Sequence, residues 1–193
     1  MVRVDLLRHG ELEGGVKYRG TVDDPLTQAG RASMDAVWNQ LRSDIDLVLS
    51  SPLSRCLEPA TEWARSVEIE CMVDPRVAEM NYGEWEGLTS EEIIALYPGM
   101  LEQWRANPEG LQVPGGESVY QLRDRITSFW SDVCEKYDGR HLLVVAHSGS
   151  LRMLIACLLN APIISTRHMQ MPYGCWSRIE TAESVSRLVF HNR

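Results

Sequence analysis

The segment Val4-Asp5-Leu6-Leu7-Arg8-His9-Gly10-Glu11 constrains this chain more than any other. A short apolar run of strand length, without helical period, stops abruptly at a guanidinium and an imidazole. Gly10 is expected to supply the backbone freedom for a sharp turn. In an open α/β sheet, side chains just past the C-terminal end of a buried strand face the ligand crevice. Arginine brings a rigid fork of donors matched to phosphate oxygens. Histidine can act as a nucleophile toward phosphorus. An Arg-His-Gly tripeptide also arises by chance, so the inference needs support from other strand ends.

Two further strands supply it. Leu47-Val48-Leu49 reads as a short buried strand that ends in Ser50-Ser51-Pro52, with Arg55 close behind. Residues 142–146 form the most apolar strand candidate and deliver His147, followed by Ser148 and Gly149 at a helix start. Parallel strands put their C-terminal ends on one edge, so Arg8, His9, Arg55 and His147 can converge there. A helix N-terminus at Gly149 adds backbone N–H donors and a dipole favourable to an anion. Taken singly, Arg55 reads as a solvated helix charge and His147 as a satisfied core histidine. Their joint placement at strand ends outweighs those readings.

Between the strands lie helical patterns. Thr27 reads as an N-cap, and Met34, Val37, Trp38 and Leu41 fall on one helix face. A helix beginning near Leu53 has Ala60, Trp63 and Ala64 on its apolar side. A third strand is expected at 69–73, and an irregular stretch at 77–87. Thr89-Ser90-Glu91-Glu92 resembles a capping box ahead of the apolar Ile93, Ile94 and Leu96. A short helical piece carries Leu101 and Trp104. Ser118 caps the clearest helix, in which Val119, Leu122, Ile126, Phe129, Trp130, Val133 and Tyr137 step by three or four before Gly139. The helix after His147 runs to Leu159, and the last strands are expected at 175–179 and 187–191. This alternation predicts a three-layer α/β/α sandwich with a mostly parallel central sheet. Residues 1–193 read as one domain, with about 77–114 an insertion over the active-site edge of the sheet.

A net charge of −8 argues against a general nucleic-acid surface and leaves room for a local positive pocket. No charged n-region followed by an apolar h-region opens the chain, and no apolar stretch is long enough to span a bilayer. Cys56, Cys71, Cys134, Cys157 and Cys175 are scattered and odd in number, without a Cys-x-x-Cys pair. They predict reduced thiols and a cytoplasmic location, with no zinc site.

The chain resembles the histidine phosphatase superfamily, also called phosphoglycerate-mutase-like. The resemblance rests on Leu7-Arg8-His9-Gly10-Glu11, Ser50-Ser51-Pro52-Leu53-Ser54-Arg55, Glu79 ahead of Tyr82-Gly83-Glu84-Trp85-Glu86-Gly87, Pro114-Gly115-Gly116-Glu117-Ser118, and Val145-Ala146-His147-Ser148-Gly149. These motifs fall in family order across nearly the whole chain. The resemblance implies a transient phosphohistidine on His9, with Arg8, Arg55 and His147 holding the phosphoryl oxygens and Glu79 as proton donor. Ser148 and Gly20 join them as substrate and phosphate contacts. The chemistry is coherent: neutral His9 attacks in line, and fixed cations (Arg8, Arg55 and a protonated His147) take up the charge without metal or cofactor. Glu79 protonates the leaving oxygen, a role that needs a carboxyl of raised pKa. Glu84 and Glu86 read as solvated loop carboxylates. His9 is expected at a surface cleft.

One departure stands out. Many family members carry Ser or Thr after the signature Glu, and Asn three residues on; here those positions are Leu12 and Gly15. The pattern around Gly14-Gly15, Tyr18-Arg19-Gly20 and Asp23-Asp24-Pro25-Leu26-Thr27 resembles the α-ribazole-5′-phosphate phosphatase branch of cobalamin synthesis. The leading expectation is a metal-independent phosphomonoesterase. A phosphoglycerate-mutase-type isomerase is the alternative, and an inactive binding or scaffold homologue a third reading. The expected partner is a small phosphorylated metabolite, with neither nucleic acid nor membrane, and a homodimer is the assembly to test for.

Overall fold

The computed structural model describes residues 1–183 and 185–193. Six strands form one sheet: β1 (Val2–Arg8), β2 (Leu47–Ser50), β3 (Glu70–Val73), β4 (His141–Ala146), β5 (Trp176–Ala182) and β6 (Val185–Phe190), in the order β3-β2-β4-β1-β5-β6. The ladders β2–β3, β2–β4 and β1–β4 are parallel, and β5 and β6 complete the sheet antiparallel. The helices are α1 (Gln28–Leu41), α2 (Ser54–Ser66), α3 (Ser90–Leu96), α4 (Met100–Ala106), α5 (Val119–Lys136) and α6 (Ser148–Leu158).

The central strands are apolar throughout because both faces are covered. Val4, Leu6, Leu142 and Val144 point to one face and pack with Leu122, Ile126 and Phe129 of α5 and Leu151 and Leu154 of α6. Leu7, Leu143 and Val145, out of phase by one residue, pack with Met34, Val37 and Trp38 of α1 and Ala60 and Trp63 of α2. The strand period of two thus divides the core into two apolar layers. Asp5 is the polar exception in β1: fully buried, it accepts from both Nε and Nη2 of Arg178 at 2.9 Å and pairs with His141 Nε2 at 2.7 Å.

Local signals act as expected at the helix starts. The Thr27 hydroxyl accepts from Gly30 N, and Thr89 and Ser118 each close a reciprocal capping box. The short helix α3 buries Ile93, while Ile94 and Leu96 face outward. Residues 77–114 include two short helices and a separate small cluster of Trp85, Ile93, Leu101 and Val113.

Gly10 is needed for a different reason than turn freedom, since its φ is not among the positive ones. A Cβ at Gly10 would lie 2.0 Å from the Gly30 carbonyl oxygen, and one at Gly30 would lie 2.2 Å from that of Glu11. The turn after β1 and the first turn of α1 therefore cross backbone to backbone. Gly30→Ala should force them apart and cost about 1–3 kcal/mol, as overpacking does. Denaturant unfolding measures this; an unchanged midpoint would mean that the crossing is not tight.

Candidate active site

Strand β1 ends at Arg8 and hands His9 to the floor of a cavity of about 250 Å³. Arg8, Arg19, Glu79, Ser148, Arg152 and Tyr173 share its lining with His9. His9 is only 5 % exposed, so it is a buried side chain at a cavity floor rather than a surface group. Its Nδ1 lies 2.8 Å from the Gly10 carbonyl oxygen. A carbonyl only accepts, so Nδ1 carries the proton, and neutral His9 keeps its lone pair on Nε2. Burial, followed by the charges of Arg8 and Arg55, pushes the His9 pKa down to about 3.

Arg8 is held by the Met171 carbonyl and by the Tyr173 ring, 3.9 Å from its guanidinium carbon. Among the described residues its Nε is buried without a hydrogen-bond partner. Tyr173 also lies 5.6 Å from the His9 ring. The loop bearing it is tied down by Gly174 N donating to the His9 carbonyl at 3.1 Å.

Glu79 belongs to the irregular stretch, yet its carboxyl is seated firmly. Oε2 accepts from Gly149 N at 3.0 Å, and Oε1 accepts from Ser150 N at 3.2 Å and Met80 N at 2.9 Å. The first two donors belong to the N-terminus of α6, the end of a helix that favours negative charge. Gly149 is required for this: a Cβ there would lie 2.2 Å from Glu79 Oε1. Arg125 of α5 grips the preceding backbone, donating to the carbonyls of Arg76, Ala78 and Glu79, and is itself paired with Glu117 at 2.7 Å.

Arg55 and His147 are brought to the site, but behind His9 and away from the cavity surface. Arg55 is buried rather than solvated and donates to the carbonyls of Val22, Arg19 and Gly20. The His147 ring centroid is 5.1 Å from that of His9. Its Nδ1 accepts from Arg55 Nε at 3.3 Å, so its proton sits on Nε2, 2.7 Å from Ser51 Oγ. Burial and then the neighbouring His9 and Arg55 lower its pKa well below the ordinary value. The protonated His147 expected from the sequence is therefore corrected to a neutral ring.

Two more expectations change. Gly20 does not line the cavity: its N–H is taken by Glu86, and a Cβ there would lie 2.0 Å from the Met80 carbonyl oxygen. Glu86 is no solvated carboxylate. It accepts from the backbone N–H groups of Gly20, Thr21, Val22 and Tyr82 at 2.9–3.1 Å, tying the loop after β1 to the 77–87 stretch. Glu84, by contrast, is exposed, and its carboxylate accepts from the Tyr97 hydroxyl. Where the signature Asn is missing, the Gly15 and Glu13 carbonyls hold the buried Arg19, which also pairs with Asp24. Sequence reasoning missed Tyr173, Arg152, Arg105 and Lys17 as cavity residues. None sits at a strand end, the signal that found the others. Among the described residues, no group of three His, Cys, Asp or Glu is placed to hold a metal, and no helix is long and apolar enough to cross a membrane.

The family model for the histidine phosphatase superfamily (branch 1) matches residues 4–193. Phosphoserine phosphatase 1 of Hydrogenobacter thermophilus is 29% identical over 166 residues, covering 84% of this chain and 79% of that protein. An adenosylcobalamin/α-ribazole phosphatase of Salmonella typhimurium is 30% identical over 190 residues, 97% of this chain and 94% of that one. The crystal structure of a putative α-ribazole-5′-P phosphatase from Escherichia coli K-12 superposes with a TM-score of 0.87 at 28% identity, covering 100% of this chain and 96% of that one.

The state of His9 can be read directly. Ring 15N chemical shifts should report an Nδ1–H tautomer that stays neutral from pH 8 down to about 4, because its pKa is held near 3. An unfolded chain would protonate the ring near its ordinary value. The folded form therefore binds fewer protons between those limits, and this contribution to stability is lost as pH falls from about 6.5 toward 3. A ring that titrates near pH 6.5 would contradict the burial argument.

Proposed function

The chain belongs to the histidine phosphatase superfamily (branch 1), and from that premise we propose that it hydrolyses phosphomonoesters through a phosphohistidine on His9, without a metal. The observation that carries the reading is the state of His9: buried, neutral, proton on Nδ1, and Nε2 left as the nucleophilic atom. In the first step Nε2 forms a bond to phosphorus while the P–O bond to the alcohol breaks in line. The departing oxygen takes a proton from Glu79. In the second step water, giving its proton back to Glu79, attacks phospho-His9 and releases inorganic phosphate. Arg8 supplies a cation at the cavity wall. Arg55 and neutral His147 act from behind, and the Arg55 charge helps keep His9 unprotonated. Ser148 and the start of α6 border the same space.

The relatives named above are phosphatases of phosphoserine and of α-ribazole phosphate, so esters of both kinds are the first substrates to assay. The α-ribazole ester is the one to which the sequence resemblance points.

Incubation with substrate in EDTA, followed by alkaline denaturing quench and peptide mapping, should place phosphate on His9. His9→Gln should abolish both the label and turnover. Label on a serine or aspartate, turnover that needs an added divalent ion, or an active His9→Gln enzyme would overturn the mechanism.

Glu79 has its own signature. Glu79→Gln should slow esters of alkyl alcohols by about 10²–10⁴ and p-nitrophenyl phosphate far less, since that leaving group barely needs a proton. Equal losses on both esters would take the acid role away from Glu79.

A further inference from the structure

Residues 171–175, which lead into β5, wrap the two residues at the end of β1. The Met171 carbonyl accepts from Arg8 Nη1, and the Cys175 carbonyl accepts from the Arg8 N–H at 3.0 Å. The Gly174 N–H donates to the His9 carbonyl at 3.1 Å. On the side of the segment all of these are main-chain groups. A side chain adds to them: the Tyr173 ring lies with its centroid 3.9 Å from the Arg8 guanidinium carbon and 5.6 Å from the centroid of the His9 ring. Half-buried at the cavity wall, Tyr173 stands against both residues at once. Its place is set by the backbone. The Cys175 N–H bonds to the Pro172 carbonyl at 3.3 Å and closes a β-turn, with Gly174 at φ +69° in the third position. A Cβ on Gly174 would lie 2.5 Å from Ser33 Oγ, so the turn is packed against α1 and carries the ring on a fixed base.

An arginine can be held in three ways, with different results. A carboxylate neutralises it. Carbonyls leave the charge but use up N–H groups, as Val22, Arg19 and Gly20 do for Arg55 behind His9. An aromatic face does neither. It attracts the cation through the ring quadrupole and engages the flat side of the guanidinium, so the in-plane donors stay open to another acceptor. Arg8, which faces the cavity, is the one held in this way.

We propose that Tyr173 is a positioning residue for phosphoryl transfer: its ring face holds the Arg8 guanidinium where its donors must stand as phosphorus passes to His9 Nε2. This rests on the phosphatase reading. In a loose in-line transfer the phosphoryl group flattens and moves toward the nucleophile. A fixed Arg8 meets the oxygens where they arrive and needs no reorganisation at that moment. An untethered Arg8 would still follow the phosphate of the bound ester. Loss of the ring therefore harms the transfer step more than it harms binding.

Tyr173→Leu removes the ring face and keeps an apolar side chain. It should slow the single-turnover phosphorylation of His9 by p-nitrophenyl phosphate about 3- to 30-fold, the range a contact of this kind supplies, with a smaller change in KM. Tyr173→Phe should recover most of that rate, because the face and not the hydroxyl acts on Arg8. Vanadate adopts the five-coordinate geometry of the transfer. It should inhibit Tyr173→Leu more weakly by a similar factor, while inhibition by inorganic phosphate changes less. The ratio of variant to wild-type rate should be the same at about pH 5.5 and about pH 7.5. Were Tyr173 only a cover over His9, the loss would grow toward acid, as a better-solvated ring took up a proton. The unfolding midpoint shows whether Tyr173→Leu keeps its fold, and Tyr173→Met repeats the contrast if it does not. Equal losses in rate, phosphate inhibition and vanadate inhibition, a loss confined to acid pH, or a rate that Tyr173→Phe does not recover would each overturn the inference and leave the phosphatase reading standing. A wild-type protein that turns over no ester and takes no label on His9 would overturn both.

Discussion

The site depends on buried arginines whose donors are met chiefly by main-chain carbonyls, with carboxylates only at the edge: Asp23 Oδ1 lies 3.4 Å from Arg55 Nη1, and Asp24 pairs with Arg19. Arg55 donates to the carbonyls of Val22, Arg19 and Gly20, and Arg8 Nη1 donates to that of Met171. Carbonyl dipoles meet the donor requirement of a guanidinium without removing its net charge, which a buried acid would do. The positive field therefore survives inside the protein, where low polarity strengthens it. Together with burial, which is the larger cause, it keeps His9 and His147 neutral, and it leaves charge for a bound anion to complete.

Holding such loops in place needs long-range ties, and carboxylates supply them from outside the cavity. Glu86 gathers backbone donors from the loop after β1 and from Tyr82, which fixes the loop whose carbonyls serve Arg55. Arg125 and Glu117 grip the segment leading to Glu79. Close backbone approaches finish the positioning. Gly10 against Gly30 sets the turn after His9, and Gly149 lets the Glu79 carboxyl sit on the helix N-terminus. A methyl group at either place would collide with a group the site needs.

The polar cluster in the sheet has a separate purpose. His141 and Arg178 satisfy the Asp5 carboxylate within β1, β4 and β5, on the strands that carry His9 and precede His147. An unpartnered Asp5 at this depth would cost several kcal/mol, on the order of 3–5. The triad therefore fixes the register of β1 against its neighbours, and with it the depth at which His9 is delivered.

The sequence by itself determined the layered sheet, the helix starts at Thr27, Thr89 and Ser118, and the delivery of Arg8, His9, Arg55 and His147 by strand ends. Each follows from short-range rules: period two or three to four, a capping hydroxyl, and the shared edge of parallel strands. Glu79 was legible only through family resemblance, because no local period marks an irregular segment. Tertiary structure alone decided which atoms of those side chains face the cavity. It turned His147 and the Arg55 fork inward, made Glu86 a clasp, occupied the Gly20 N–H, and brought Tyr173, Arg105 and Arg152 to the opening. Those outcomes hang on hydrogen bonds between segments far apart in the chain, and on crossings such as Gly10 with Gly30. A single sequence carries no record of which distant carbonyl a guanidinium will meet until the loops are laid over the sheet.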